Sequence, residues 1–197
     1  SSSANHIFDI SSGVSPYVPS SSVSGWQSGY SSDILTGSIL TQKNKKVNMY
    51  TQMAQMLSGY DISGSVRLFD RNGDHASGDK ILDPVFISLS RLLVKDEIKK
   101  GSFNLHLGVG AIGTPHSNTL KISDANAENN FKINSPAGEY GILYATGASG
   151  VIDTLVRQSG STDPARAVGL LYYQAGVAVL DGSKIFRARH KPQGEDA

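Results

Sequence analysis

The chain has 197 residues, 39% of them hydrophobic with 21 glycines besides, and a formal net charge of +1. That is enough chain and enough apolar content for one substantial core without staples, and too little net charge for a bulk field that would hold nucleic acid or an anionic membrane. Cysteine is absent, which excludes a disulfide framework, a thiolate metal site and a cysteine nucleophile together.

Residues 1–37 read as a serine-rich extended arm. They carry a few isolated large side chains, among them Ile7, Phe8, Tyr17 and the chain's single tryptophan, Trp26, and are too polar to form a core alone. The aromatics of such an arm can anchor it on its own subunit or on a neighbour. Neither the charged start nor the apolar run of a signal peptide opens the sequence, and Ser1 in place of Met is expected of a processed or partial chain.

A helix is predicted over about 43–58. Val47, Tyr50, Ala54 and Leu57 share one stripe, Met49, Met53 and Met56 share the adjacent one, and Gly59 supplies a stop. All three methionines of the chain lie here. They are expected either to fill gaps in the core or to face a partner. Asp61 to Asp70 alternates loosely and reads as a strand ending in the turn Asp70-Arg-Asn-Gly-Asp74.

A second helix is predicted over about 84–99, with Asp83 as N-cap, Pro84 at the first helical position, Phe86, Leu89 and Leu93 on one face, and Lys99 and Lys100 before Gly101. After Gly101 the period becomes that of strands: Ser102–Gly108, Thr119–Ser123, Asn130–Asn134, Glu139–Thr146, Val151–Val156, Ala167–Gln174 and Val177–Leu180. Gly141-Ile-Leu-Tyr144 echoes Gly169-Leu-Leu-Tyr172, so these two strands are expected side by side in one sheet, with a turn or bulge at Ala175-Gly176. The expected fold is α+β: an antiparallel sheet or sandwich-like core in the C-terminal half with the two helices packed on it, a single domain over 38–186, and a basic, flexible tail over 187–197.

No constellation in the sequence commits to catalysis. Gly108-Val-Gly-Ala-Ile-Gly113 fits the spacing of a dinucleotide-binding turn, yet a turn and a strand follow it where the mechanism needs a helix N-terminus. Asp70-Arg-Asn-Gly-Asp74 opens like a calcium loop, but glycine stands fourth instead of sixth and Ile81 occupies the twelfth position, where a glutamate is needed. The five histidines are scattered, with no zinc spacing. The reading is therefore of a protein that is not an enzyme, with no catalytic residue, no cofactor and no metal. The longest apolar run, Val168 to Leu180, is broken by Gln174 and glycines and is shorter than the roughly 20 residues of a spanning helix, so no membrane span is expected.

Five segments in order, Val47–Leu57, Val85–Arg91, Lys95–Phe103, Ser135–Tyr140 and Val168–Val177, resemble structural proteins of tailed bacteriophages, above all large contractile-tailed marine ones. The resemblance covers about residues 45–180 and rests on scaffold segments. It implies a virion component of tail, neck or baseplate, made in the host cytoplasm, that assembles with itself and with other virion proteins. Trp26, Met49, Met53, Met56, Tyr172 and Tyr173 are the candidate interface residues. One alternative is a glycan- or receptor-binding module whose Trp26, Tyr140, Tyr172 or Tyr173 stacks on sugars. A second is a polysaccharide or cell-wall hydrolase using carboxylate pairs such as Asp70 with Asp74 or Glu139 with Asp153.

Overall fold

The structure is a computed structural model that describes residues 7–16, 37–75, 79–89, 97–108, 113–114, 119–125, 127–147 and 167–185. Its frame is a curled, fully antiparallel seven-stranded sheet, a half-barrel, built from β1 (Phe8–Ser12), β2 (Pro84–Leu89), β3 (Asn104–Gly108), β4 (Thr119–Ser123), β5 (Tyr140–Gly147), β6 (Ala167–Tyr172) and β7 (Val177–Asp181) in the order β1-β2-β7-β6-β5-β4-β3. Among the described residues two helices accompany it, α1 (Gly37–Leu57) and the single turn α2 (Gly182–Ile185). Strands dominate, and the class is broadly α+β.

Alternation along each strand sorts the apolar residues onto two faces, and register lines them into rows across the sheet. Phe86, Val179, Leu170 and Ile142 are cross-strand partners in one such row. This row faces α1, whose Tyr50, Ala54 and Leu57 are fully buried against it. On the opposite face, Ile87, Ala178 and Leu171 form a row, and Leu105, Ile122 and Ala145 form another. The predicted helical stripe is the one that is buried. Gly59, in the left-handed region at φ 77°, ends α1 with its N–H on the Ala54 carbonyl at 2.9 Å.

The echoed segments do pair, as β5 with β6. Because the pairing is antiparallel, each motif's glycine meets the other's leucine: Gly141 is opposite Leu171 and Leu143 is opposite Gly169. Both glycines are places of close approach. A Cβ on Gly141 would run into the Tyr173 hydroxyl, and one on Gly169 into the Val179 carbonyl. The register shifts between Leu143 and Tyr144, so that Val168 is the extra residue of a bulge.

Three predicted elements are corrected. Pro84–Leu89 is β2 and not the start of a helix over 84–99; residues 90–96 lie outside the described set. A short, mostly apolar run fits a buried strand as well as a helix, and its neighbours decide: Phe86 packs toward α1 while Ile87 packs the other way, which a strand held between β1 and β7 allows. Pro84 is tolerated because it is the first residue of the strand. The segments Asp61–Asp70 and Asn130–Asn134 are loops pinned by the single bridges Tyr60 to Val66, Asp70 to Lys80 and Lys132 to Tyr140. The expected strand Val151–Val156 lies outside the described residues. Phe8–Ser12, within the serine-rich segment, is a strand of the sheet.

Candidate functional site

The largest departures from ordinary burial among the described residues are apolar side chains held out in solvent. Ile62 is fully exposed at 107% and Ile133 is 74% exposed, with Tyr60 and Met56 each more than half exposed. Ile62 sits at the head of a tight turn. Asp61 Oδ1 accepts the Ser63 N–H (2.8 Å), the Ser65 N–H (2.9 Å) and the Ser63 hydroxyl (2.6 Å), and the Asp61 N–H reaches the Ser65 carbonyl at 2.9 Å. The Ser63 hydroxyl foremost, with the two N–H groups, holds the Asp61 carboxyl below its ordinary range. The turn is thus fixed by its own polar groups while it displays an isoleucine.

Loop 131–136 is tied to the same end of the molecule. The Ser135 hydroxyl donates to the Leu57 carbonyl, Arg67 Nη1 donates to the Asn134 carbonyl at 3.4 Å, and Pro136 lies against Gly59. Lys100 Nζ stands 4.5 Å over the Phe131 ring and forms an ion pair with Glu139. Met56, Tyr60, Ile62 and Ile133 are therefore carried by the end of α1 and the two loops bound to it. This arrangement offers apolar contact area with a polar, preorganised backing.

The segment 70–80 holds a network of partly buried charge. Lys80 pairs with Asp70, and Arg71 pairs with Asp79 and, at 3.6 Å, with Asp181. Asp70 and Asp181 are almost wholly buried. Asn72 Nδ2 donates to Asp74 at 3.1 Å and to Asp79 at 3.2 Å. The loop's turn role is thereby explained: its carboxylates are committed to cations and amides of the chain itself. His75, in the left-handed region at φ 60°, has both ring nitrogens buried without a hydrogen-bond partner. Burial, with the Arg67 charge next, pushes its imidazole below the ordinary value. Among the described residues no group of three or more His, Asp or Glu side chains is placed to hold a metal ion.

Comparison with family models, curated proteins and solved structures returns no match for the chain. What can be said of function is carried by the geometry.

The structure separates the residues singled out from the sequence. Trp26 and Asp153 lie outside the described residues. Met49 and Met53 pack partly against the core beneath α1, whereas Met56 is 53% exposed. Tyr140, Tyr172 and Tyr173 are inside, so none presents a ring to a sugar or a partner. Tyr172 shares the core with Tyr140, their ring centroids 5.0 Å apart, and its hydroxyl lies 3.4 Å from that of Ser58. The Tyr173 hydroxyl donates to Asp124 at 3.3 Å, beside the Gly101 N–H (2.7 Å) and the Phe103 N–H (3.0 Å) on the same carboxylate. Burial raises all three tyrosines, Tyr140 to about 12. For the hydrolase alternative, Asp70 and Glu139 are each ion-paired with a lysine.

Gly108, which opens the glycine-rich segment, pairs with Thr119 at the ends of the antiparallel strands β3 and β4, and residues 109–112 and 115–118 lie outside the described set. The residues missed by sequence reasoning are Ile62 and Ile133. Each is a lone isoleucine in a polar, turn-rich stretch, and that isolation was the available signal. No described helix is long and apolar enough to cross a membrane.

Proposed function

We propose that the chain is a structural, non-enzymatic subunit of a tailed-phage virion, in tail, neck or baseplate, and that it works by docking to itself and to other virion proteins. The observation that carries this reading is the fully exposed Ile62 on a turn locked by Asp61. An isoleucine in water forfeits about 1.5–3 kcal/mol that burial would return. A turn ordered by polar bonds has already met the entropy cost of presenting that side chain, which is the condition for a docking knob. Ile133, Tyr60 and Met56, on the segments tied to the same helix end, enlarge the contact. The order of scaffold segments resembling phage structural proteins supplies the setting.

The test is incorporation. An epitope-tagged chain supplied during phage production is expected to co-sediment with particles in a density gradient. The double substitution Ile62→Asp with Ile133→Asp is expected to leave the monomer's thermal unfolding unchanged and to reduce incorporation at least about tenfold, as loss of a central apolar anchor would. Equal incorporation of the double variant, or none of the parent chain, would count against the reading.

A further inference from the structure

We propose that β1 is the seam of a two-fold homodimer, its open edge occupied by the same strand of a second copy; the proposal deepens the assembly reading above and rests on it. β1 is the terminal strand of the sheet, and among the described residues nothing pairs on its outer side. Natural edge strands are usually guarded by charge, proline or brevity. This one is short and carries Asp9, but it turns Phe8 (48% exposed) and Ile10 (64% exposed) toward the same face, beside their partners Leu89 and Ile87 on β2. The apolar row that is buried in the middle of the sheet runs on to Ile10 at its rim, where exposure rises to 64%.

Hydrogen-bond phase identifies which backbone groups face outward. The Gly13 N–H reaches the Pro84 carbonyl at 3.0 Å, and the Leu89 N–H points away from β1, to the Gly176 carbonyl at 2.8 Å. Given the register, Asp9 and Ser11 bond to β2, while the N–H and C=O of Phe8, Ile10 and Ser12 point out. An antiparallel copy centred on Ile10 uses all of these outward groups: Ile10 exchanges both bonds with its counterpart, and Phe8 exchanges both with Ser12 of the second copy. In this register Asp9, the strand's only charge, falls opposite Ser11. Sliding the copy by one pairing step to bring Phe8 against Ile10 would set Asp9 against Asp9, which like-charge repulsion disfavours. In the register centred on Ile10 the strand is self-complementary, the condition for an isologous contact. A strand pair of this length buries less than a standard interface of about 1,200–2,000 Å², so the dimer is expected to be a reversible one.

Sedimentation of the full chain from about 1 to 100 µM, the range in which a small interface dissociates, tests this. A monomer–dimer equilibrium is expected. Ile10→Lys, which sets like charges across the axis, should weaken it at least about tenfold with unchanged thermal unfolding, and an equimolar mixture of I10K with I10E should restore a dimer containing one of each. I10C should cross-link under mild oxidation, since the pairing places the two Cα atoms about 5.5 Å apart and the chain has no other cysteine. A parent chain that stays monomeric throughout, or a dimer indifferent to I10K and not linked through I10C, would overturn the seam. A monomer that still enters particles would refute the seam and leave the virion reading standing. A dimer lost in I10K from a chain that never enters particles would do the reverse.

Discussion

Tyr50 fastens α1 to the rest of the core through one oxygen, and Tyr50→Phe isolates that role. The hydroxyl donates to the Ile81 carbonyl at 3.0 Å and accepts the Phe69 N–H at 3.2 Å, with Ser15 also bonding to it. Tyr50, Phe69 and Ile81 are all fully buried, and Phe69 continues into an edge-to-face stack with Tyr50 at 5.4 Å and with Phe86 at 5.7 Å. Phenylalanine keeps the ring contacts and strands a buried donor and a buried acceptor. Each stranded group costs about 1–3 kcal/mol, so the variant should lose about 2–4 kcal/mol. For a chain of this size that corresponds to a melting temperature lower by about 5–15 °C. Urea and thermal unfolding followed by circular dichroism read both quantities. A loss below about 0.5 kcal/mol would refute the claim that this hydroxyl joins helix and loop.

Tyr172→Phe is expected to cost less, about 0.5–1.5 kcal/mol in the same assay, because its single long contact is with the Ser58 hydroxyl, which can turn to another acceptor. Gly169→Ala should destabilise strongly, by about 2 kcal/mol or more in urea titration, since its methyl group meets the Val179 carbonyl and neither backbone can yield inside the paired sheet. Stability should fall as pH drops through the histidine range. His75 is held below its ordinary value in the fold, so the unfolded chain binds the proton first, the contribution is complete above about 6.5 and is lost progressively below it. His75→Asn, a residue that accepts its left-handed backbone, should flatten the melting temperature between pH 7.5 and 5.5, and an unaltered slope would show that another group carries it. Asp124→Ala removes the acceptor for the Gly101 and Phe103 N–H groups, and should speed amide exchange across β3 more than across β6; uniform protection would contradict the clasp.

Periodicity found what local chemistry controls. The stripe of Tyr50, Ala54 and Leu57, the glycine stop after α1, and the alternation of Leu105 and Leu107 all survive in the fold, because an amphipathic face has one buried solution in each case. The echo of Gly141–Tyr144 in Gly169–Tyr172 predicted adjacency, and the structure supplies its reason in the glycine-to-leucine register. Pro84–Leu89 failed for the opposite reason: its capping signals are local, whereas its state is set by β1 and β7, strands distant in sequence. Phe8–Ser12 was hidden by its serine-rich surroundings, its pairing with β2 being a long-range event that composition does not register. The tyrosines proposed as platforms are amphipathic by type, and sequence does not tell whether the ring or the hydroxyl finds its partner inside. Ile62 was legible only as an anomaly, one apolar residue in a turn of serines and glycine.

Quantitative mass spectrometry of gradient-purified particles, made by the genome that encodes the chain, addresses the structural-subunit reading most directly. The account predicts the chain in particles at a fixed multiple-copy ratio to the other virion proteins, unchanged by washing in high salt because the contacts are apolar. A chain abundant in the lysate and absent from the particles would contradict it.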